Sequence, residues 1–431
     1  LGIYVQVPFC QTKCTYCNFH TGVVAKERFA PYVEAICREI REHRQLLQAA
    51  GVGLPANELQ GLKPVARLRE TSELKLPPPE EKEPFMEDFV VDTVYIGGGT
   101  PSLLDPKNLQ EILQTIRETF GRATVGEERS ASEGGPYSAA FEEVTLEADP
   151  ETIEAKKAAE WARAGINRVS FGVQSFSDQE LAAAGRVHRR ADVYRAAPIL
   201  REAGIRNISF DLIAGLPHQT RESWRQSLEE LTALAPEHVS VYLLEVDEGS
   251  RLGKELLAGG ARYNAGAVPS EDEMAEFYEM AQAALRAVGY HHYEISNWAK
   301  PGFESKHNVK YWRREPYLGF GAGAHSFSGT QRWANAHDAA AYVSALESGR
   351  LPVEQLEAVT AEMALEEELF LGLRQLDGID VERIEREYGV PLAGRFEPLT
   401  SAGLVEREGS VVRLAQEKLS VSNEVFVELM R

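Results

Sequence analysis

The sequence predicts an α/β protein, in which a parallel sheet with helices on its outside is followed by a smaller helical module. Two observations carry this prediction. Short β-branched runs alternate with amphipathic stretches over the first two-thirds of the 431 residues, and this pattern changes from about Thr360. Six βα units in a row require a parallel sheet, which is either open and doubly wound or a closed or partial (β/α) barrel. In both cases functional residues lie at the carboxyl ends of the strands.

The predicted strands are short apolar runs separated by segments of helix length. The run VVDTVYI, for example, is apolar almost throughout, which is typical of a parallel strand buried on both faces. The six strands are expected at Ile3–Val7, Val91–Ile96, Val144–Glu147, Arg168–Phe171, Asn207–Leu212 and Val239–Leu243. The helices between them are expected at Phe29–Leu47, Asn108–Thr119, Ile153–Ala164, Val193–Ala203 and Arg221–Leu234.

Three stretches interrupt this alternation and are expected to be surface excursions. Gly51–Asp88 is rich in Pro and Glu, Gly121–Ala140 contains GEERSASEGGPYS, and Gly249–Ser270 is rich in Gly and Ala. Segments of this kind bury little apolar surface and favour exposed, mobile conformations. None of the three contains a convincing chemical constellation.

The C-terminal residues predict a winged-helix-like module. Three helical patterns are followed by GLVEREGSVVRL, which is typical of a β-hairpin, so the chain is expected to divide into residues 1–350 and 351–431. Such modules usually bind DNA. Here the hairpin and its preceding helices are not basic enough for that role, so a structural appendage or a homodimer surface is favoured.

The charge balance argues against nucleic acid and anionic membranes as main ligands, because the formal net charge is −20. The chain contains no run of about twenty apolar residues, and its first residues predict a strand rather than a signal peptide. Only four cysteines occur, and three fall within eight residues. Clustered thiols indicate a metal site in a reducing compartment rather than disulfides, so the cytoplasm is the expected location.

The clustered thiols are Cys10, Cys14 and Cys17, spaced C-x3-C-x2-C after the first strand. Thiolates at short spacing suit zinc or an iron–sulfur cluster, and structural zinc requires four ligands, for which no second cysteine pair exists here. Cys37 lies on a helical stretch and is expected to be a buried structural thiol. Three thiolates on a [4Fe–4S] cluster leave one iron for the amine and carboxylate of S-adenosylmethionine (SAM). Two alternatives stay open: His20 as a fourth ligand, or three unrelated cysteines.

These cysteines, together with GGGTPS at Gly97–Ser102, resemble the radical SAM superfamily. The segments IYVQVPFC, LEADPET, VSFGVQSF, FDLIAGLP and YEISNWA are similar to its HemN/HemW branch, which holds oxygen-independent coproporphyrinogen III oxidases and heme chaperones. The match covers most of residues 1–330 and continues into the C-terminal module. It implies a partial (β/α)6 radical SAM barrel with a HemN-type C-terminal domain.

The resemblance also implies roles for residues at the strand ends. Two tyrosines would flank the cluster and cofactor, a glycine run would line SAM, and polar side chains would complete its pocket. Glycine suits the run because it lets the backbone pack directly against a ligand. As alternatives, Arg186 is a solvated helix-end cation and Asp211 is a cap. The implied cofactor-binding residues are Tyr4, Tyr16, Gly98, Gly99, Thr100, Glu147, Gln174, Arg186 and Asp211.

Three features distinguish the two subfamilies of this branch. The oxidases resemble C-x3-C-x2-C-x-C, whereas Phe19 stands at the fourth position here, and they carry an N-terminal extension before the first barrel strand. HNVKYW at His307–Trp312 matches the H-N-x-x-Y-W motif associated with heme binding in the chaperones. By this match His307 would ligate heme iron, while Tyr311 and Trp312 face the macrocycle. The alternative is a turn before an aromatic strand in the core.

A second glycine-rich segment, GFGAGAHS at Gly319–Ser326, lacks the spacing of a dinucleotide fingerprint. It is interpreted as a close-packed passage from a strand to a loop. His325 within it is a secondary heme candidate, with a core position favoured.

Residues and resemblance together favour a heme chaperone that binds heme and a SAM-coordinated [4Fe–4S] cluster and transfers heme to an acceptor hemoprotein. The alternatives are an oxygen-independent coproporphyrinogen III oxidase and a radical SAM enzyme with an unrelated substrate. The implied partners are heme and the acceptor, and nucleic acid is excluded. Peripheral contact with membrane hemoproteins and a homodimer are left open, and no catalytic residue is assigned.

Overall fold

A twelve-stranded mixed sheet organises most of the chain in the computed structural model, which describes residues 1–49, 90–121 and 141–430. In space the strand order is β12-β11-β10-β9-β1-β2-β3-β4-β5-β6-β8-β7. The strands are β1 (Gly2–Val7), β2 (Thr93–Gly98), β3 (Glu143–Ala148), β4 (Arg168–Gln174), β5 (Asn207–Ala214), β6 (His238–Leu243), β7 (His291–Glu294), β8 (Asn297–Ala299), β9 (Tyr317–Phe320), β10 (His325–Phe327), β11 (Gln331–Asn335) and β12 (Val353–Ala358).

The seven central strands, from β9 to β6, are all parallel, and β1 to β6 are neighbours in chain order. This order excludes the doubly wound alternative, in which the strand order reverses at a switch point. Antiparallel strands extend both edges, with β10 beside β9 and β8 beside β6. Because β1 pairs with β9 and β6 with β8, the described strands form a partial barrel rather than a closed ring.

Helices connect these strands and cover the outer face of the sheet. They are α1 (Phe29–Ala49), α2 (Pro106–Phe120), α3 (Ala155–Ala164), α4 (Asp178–Ala183), α5 (Arg190–Glu202), α6 (Arg221–Leu234), α7 (Arg251–Leu257), α8 (Glu271–Ala287), α9 (Lys306–Trp312) and α10 (Ala339–Glu347). All six predicted strands and all five predicted helices are confirmed, with ends that differ by up to three residues. Strands β7 to β12 were not predicted.

The two faces of the central strands differ in character, because successive side chains point to opposite faces. Ile3, Val5 and Val94 are fully buried, and burial of each such side chain contributes roughly 1.5–3 kcal/mol. Between them Tyr4 and Tyr95 alternate onto the other face and are partly exposed. The apolar face therefore builds the core, and the polar face lines the interior of the partial barrel.

One of the three predicted surface excursions is corrected by the structure. Residues 249–270 contain α7 and a 3-10 helix at Arg262–Ala267, and Leu252 and Ala265 are buried in a small apolar cluster with Met274. The apolar side chains spaced among the Gly and Ala residues give this segment a packed face. Gly51–Asp88, and Gly121–Ala140 beyond Gly121, lie outside the described residues.

The C-terminal module has the predicted winged-helix-like arrangement. Its helices are α11 (Ala361–Arg374), α12 (Val381–Tyr388), α13 (Ala393–Ser401) and α14 (Ser422–Leu429). Its small sheet has the order β13 (Ile379–Asp380), β15 (Val411–Leu414), β14 (Val405–Glu408), and the β14–β15 hairpin is the predicted wing. The division at residue 350 stays a prediction. Among the described residues, no helix combines the length and apolar character of a membrane span.

Candidate cofactor-binding site

The cysteine loop leaves β1 at its carboxyl end and folds back on itself. The Cys10 amide donates to the Gly22 carbonyl at 3.0 Å, and the Gly22 amide donates to the Pro8 carbonyl at 2.8 Å. These two hydrogen bonds close the loop at its base. All three clustered cysteines lie on this closed loop, partly exposed and with free thiols.

Two neighbouring segments hold the middle of the cysteine loop. The Thr15 amide donates to the Ala184 carbonyl at 3.0 Å, and the Leu252 amide donates to the Thr15 carbonyl at 2.8 Å. Leu252 belongs to α7, and Arg251 before it donates to the Lys13 carbonyl. The segment expected to be a surface excursion therefore packs against the loop and fixes its backbone.

The donor set is compatible with a cluster spread over several irons. Within residues 1–49, 90–121 and 141–430, no three His, Cys, Asp or Glu side chains converge closely enough to hold one metal ion. An iron–sulfur cluster does not require such convergence, because each thiolate binds a different iron. Burial raises the pKa of the Cys10 thiol, and coordination to iron would offset that cost. Cys37 is fully buried in α1, as expected of a structural thiol.

The glycine run ends β2 and passes alongside the cysteine loop. The Gly99 amide donates to the Val7 carbonyl at 2.9 Å, and the Thr100 amide donates to the Phe9 carbonyl at 2.7 Å. Gly98 has a φ of +108°, and a Cβ at Gly99 would lie 2.6 Å from the Phe9 carbonyl oxygen. Glycine is therefore required here because the cysteine loop leaves no room for a side chain, independently of any contact between the glycine run and a cofactor.

Glu147 lies near the end of β3 and reaches across to the glycine run. One of its carboxylate oxygens accepts the Gly98 amide at 2.9 Å, and the other accepts the Tyr95 hydroxyl at 3.0 Å. Burial raises the pKa of Glu147 to about 7, although both hydrogen bonds act in the opposite direction. The side chain thus holds the glycine run in place and presents a carboxyl group that can exchange a proton near neutral pH.

Arg186 is a buried anchor, which rules out the alternative of a solvated helix-end cation. Only 10% of its side chain is exposed. Its guanidinium donates to the Asp149 carboxylate, to the Gly172 carbonyl at 2.9 Å and to the Cys14 sulfur at 3.5 Å. Asp149 also accepts the Thr100 hydroxyl at 3.1 Å. One ion pair therefore links the cysteine loop, the glycine run and β4.

Asp211 and Gln174 lie on the neighbouring strands. Asp211 accepts the Ser170 hydroxyl at 3.0 Å and the Ser209 hydroxyl at 3.2 Å, so it is bound within the sheet and is not a cap. Burial raises its pKa. Gln174 ends β4 with a φ of +63°, a region that residues other than glycine seldom adopt. Its side chain converges with that of Arg186 on Gly172.

Tyr4 and Tyr16 lie on different parts of the site. The Tyr4 hydroxyl donates to the Gln6 side chain at 2.7 Å, and its ring stacks on Tyr95 with 5.9 Å between centroids. Tyr16, on the cysteine loop, packs against the small apolar cluster that includes Leu252. Burial raises the pKa of both tyrosines, so both stay neutral.

Sequence reasoning missed two side chains of this network. Asp149 follows Glu147 by two residues in LEADPET at the end of β3. Because functional residues lie at the carboxyl ends of the strands, its position could have indicated it as a site residue. Tyr95 carries no such signal, because an aromatic residue in an apolar strand is typical of the core. In the structure it donates to Glu147 and stacks on Tyr4.

His307 lies apart from this network, at the amino end of β2. Its ring is 1% exposed. The Nδ1 atom is 3.0 Å from the Thr93 hydroxyl, and the Nε2 atom is 2.8 Å from the Tyr311 hydroxyl. Burial lowers the pKa of His307 to about 3. In this conformation both ring nitrogens are engaged, and heme ligation by His307 stays a prediction.

His325 is exposed, which corrects the expectation of a core position. It begins β10, and the next residue, Ser326, is buried on the opposite face of the strand. The glycine-rich sequence around His325 does not indicate which of the two faces its side chain takes. The preceding glycine-rich passage is close-packed as predicted. The Gly321 amide donates to the buried Glu39 carboxylate at 2.9 Å, and the Ala322 amide donates to the Tyr32 hydroxyl at 2.8 Å.

Two family models match this chain. The radical SAM superfamily matches residues 4–231, and the HemN C-terminal domain matches residues 359–417. The chain belongs to the radical SAM superfamily, and membership implies SAM and a [4Fe–4S] cluster.

Curated relatives place the chain more narrowly. It is 33% identical to the protein named heme chaperone HemW of Bacillus subtilis (strain 168), over 98% of this chain and 97% of the relative. It is 32% identical to heme chaperone HemW of Escherichia coli (strain K12), over 75% of this chain and 69% of the relative. The protein is thus a HemW-like radical SAM protein.

A solved structure confirms the fold. The radical SAM enzyme HemN, coproporphyrinogen III oxidase from Escherichia coli, has a TM-score of 0.74 and 20% identity, with coverage of 99% of this chain and 89% of that chain. At this identity the likeness concerns the fold alone. It confirms the radical SAM barrel and supports the helical C-terminal domain.

Proposed function

We propose that the protein is a heme chaperone that holds a SAM-coordinated [4Fe–4S] cluster and passes heme to an acceptor hemoprotein. The observation that carries the proposal is the similarity, over 98% of the chain, to a protein named heme chaperone HemW. Phe19 adds support, because it stands where the oxidases of this branch have a fourth cysteine. Its side chain is 65% exposed on the cysteine loop, and no thiol takes its place.

In this proposal the three loop cysteines bind three irons, and residues at the ends of β1 to β5 line SAM. When bound, such a cluster supplies one-electron chemistry at the sulfonium of SAM. Arg186 orients the loop through Cys14, and Glu147 orients the glycine run through the Gly98 amide. The residues proposed to line SAM are Tyr4, Tyr16, Gly98, Gly99, Thr100, Glu147, Gln174, Arg186 and Asp211.

The partners proposed for this function are heme and an acceptor hemoprotein, together with peripheral association with membrane hemoproteins. If His307 ligates heme iron, its ring must first lose its hydrogen bonds to the Thr93 and Tyr311 hydroxyls. That change requires a movement within α9. The C-terminal module is proposed as a structural appendage or homodimer surface. A cytoplasmic location accords with the clustered free thiols.

The decisive experiment is anaerobic reconstitution with iron and sulfide, followed by titration with hemin, with and without SAM, and by addition of an apo-hemoprotein. We expect a new Soret band on the protein and its loss as the acceptor gains heme. A variant with Cys10, Cys14 and Cys17 changed to Ser separates the effect of the cluster. Failure to bind hemin, or conversion of coproporphyrinogen III to protoporphyrinogen IX by the reduced protein with SAM, would contradict the proposal.

A further inference from the structure

The ten histidines of the chain fall into two groups. Seven have a ring nitrogen paired with a hydrogen-bond or ionic partner, and these are His43, His188, His218, His238, His291, His292 and His307. The rings of His20, His325 and His337 form no such pairing with the described residues. These three lie together and are called the histidine patch below.

The members of the histidine patch come from three separate segments. The ring centroids of His20 and His337 are 4.2 Å apart. Although His325 is exposed overall, partial desolvation of its ring lowers its pKa, and the nearby His337, Arg332 and His20 lower it further. The Nδ1 atom of His337 is buried without a hydrogen-bond partner in the described part of the chain. The rings of His20 and His337 therefore lie side by side with His325 nearby, and none of the three satisfies another.

The histidine patch lies at the same end of the barrel as the cysteine loop. His20 follows Cys17 by three residues on that loop. His325 lies in the glycine-rich passage that crosses the end of β1, where a Cβ at Gly321 would lie 2.5 Å from the Gln6 carbonyl oxygen. The His337 ring lies against the same passage, since a Cβ at Gly323 would lie 3.0 Å from its Nδ1 atom. A ligand bound to these rings would therefore lie beside the three cysteines.

The loop and the residues directly after it expose large apolar side chains near His20. Phe19, Val23 and Val24 are 65%, 61% and 39% exposed, respectively. Exposed apolar side chains that cluster in one short segment mark a ligand or partner site more often than scattered ones do. The loop thus offers a nonpolar surface that is adjacent to unpaired imidazoles.

The loop and the 3-10 turn that follows it at Lys26–Arg28 are also locally basic in a chain of net charge −20. Lys13, Lys26 and Arg28 lie between residues 11 and 28, with Glu27 as the single carboxylate in that stretch. All but Lys13 are exposed, and Lys13 is partly exposed. A ligand that carries carboxylates would therefore meet favourable charge here although the protein as a whole is acidic.

Heme combines the three properties that this surface complements. Its iron binds imidazole, its macrocycle is flat and apolar, and its propionates are anionic. We propose that the histidine patch supplies an axial ligand to heme iron, with the macrocycle against Phe19 and Val23 and the propionates toward Lys13 and the basic turn at Lys26–Arg28. This inference rests on the proposed function, since it presumes heme binding. Of the members of the histidine patch, His20 and His325 are exposed and His337 is partly exposed, whereas His307 is buried and doubly hydrogen bonded.

The test is a hemin titration of untagged, reconstituted protein, followed by its Soret spectrum. The triple variant H20A/H325A/H337A is expected to lose the wild-type Soret position and at least ten-fold in affinity. The variant F19S/V23S, which keeps every imidazole, is expected to bind more weakly with an unchanged Soret position. His291→Ala serves as the matched control, because His291 is an exposed histidine elsewhere, in β7.

The outcomes separate this inference from the proposed function. If the wild type binds no hemin, the proposed function and the inference fail together. If the wild type binds hemin and the triple variant binds it equally well with the same spectrum, the inference alone is overturned. Iron and sulfide content report whether each variant is folded and loaded. A loss of iron in His20→Ala alone would assign His20 to the cluster and also overturn the inference.

Discussion

The guanidinium of Arg186 lies 3.5 Å from the sulfur of Cys14, although 172 residues separate them in the chain. The same guanidinium donates to Asp149, which accepts the Thr100 hydroxyl. This chain of contacts ties the cysteine loop to the glycine run. The position of the cysteine loop thus depends on a single buried side chain.

Replacement of Arg186 should weaken both the fold and the iron site. Arg186→Ala leaves the Asp149 carboxylate without its cation, and loss of one member of a buried pair costs about 3 kcal/mol. We expect that decrease in the free energy of unfolding, together with lower iron content after reconstitution. Urea unfolding and iron analysis measure the two effects. Arg189→Ala is the control, since that side chain is 67% exposed. Equal iron content in Arg186→Ala and the wild type would contradict this prediction.

At Gln174, the effect of the strained backbone on stability should be separable from the effect of the side chain on SAM binding. A left-handed conformation costs roughly 1–2 kcal/mol for a residue other than glycine. Glycine removes that strain but loses more conformational entropy on folding, so Gln174→Gly should stabilise the protein by up to about 1 kcal/mol. The amide that converges with Arg186 is lost, so SAM affinity should fall at least ten-fold. Urea unfolding and equilibrium dialysis with SAM measure these changes.

Ala235 provides a matched control for the backbone effect. It has a φ of +47° at the end of α6, away from the cysteine loop. Ala235→Gly should give a similar gain in stability with unchanged SAM affinity. If Gln174→Gly also left SAM affinity unchanged, Gln174 would have no part in the pocket.

The elements with strong local patterns could be predicted from the sequence. In β1, Ile3 and Val5 are buried and alternate with polar side chains, and helix α6 has its predicted bounds because it begins at a capping residue, Thr220. Strands β8 and β10 have only three residues each, so no period can be read from them. Their pairing is set by tertiary partners, which the local sequence does not encode.

The same limit applies to the candidate site. The cysteine spacing and the glycine run are local features, and the residues at the strand ends follow from the parallel sheet. Which carboxylate meets which cation depends on strand register, so the pairing of Arg186 with Asp149 could not be predicted. His325 was placed in the core because its neighbours are Ala and Gly, while the structure turns it outward.

Stability should depend on pH through Glu39, which joins α1 to the glycine-rich passage. Burial raises the pKa of Glu39 to about 7, above the value of about 4.3 expected in the unfolded chain. The folded state therefore binds more protons between these pH values, and its stability falls as pH rises from about 4.5 to about 7. Relative to Glu39→Gln, the wild type should lose about 3 kcal/mol between pH 5 and 8.

The measurement is the free energy of urea unfolding of the apo-protein at each pH, compared between variants. Glu34→Gln is the control, because Glu34 lies on the same helix and is exposed. It should retain the full pH dependence of the wild type. An identical pH dependence in Glu39→Gln would show that Glu39 does not titrate in this range.

His307 should contribute chiefly to stability in the conformation seen here. His307→Ala removes a fully enclosed ring and leaves the Thr93 and Tyr311 hydroxyls unpaired, which should lower the free energy of unfolding by about 2–4 kcal/mol. Exposed His291→Ala should change it by less than about 0.5 kcal/mol. If stability falls while hemin affinity and the Soret spectrum are unchanged, His307 is structural. If His307→Ala changes the Soret spectrum while stability is unchanged, His307 ligates heme. In that case α9 must open on binding, because only a ring released from its two hydrogen bonds could reach the iron.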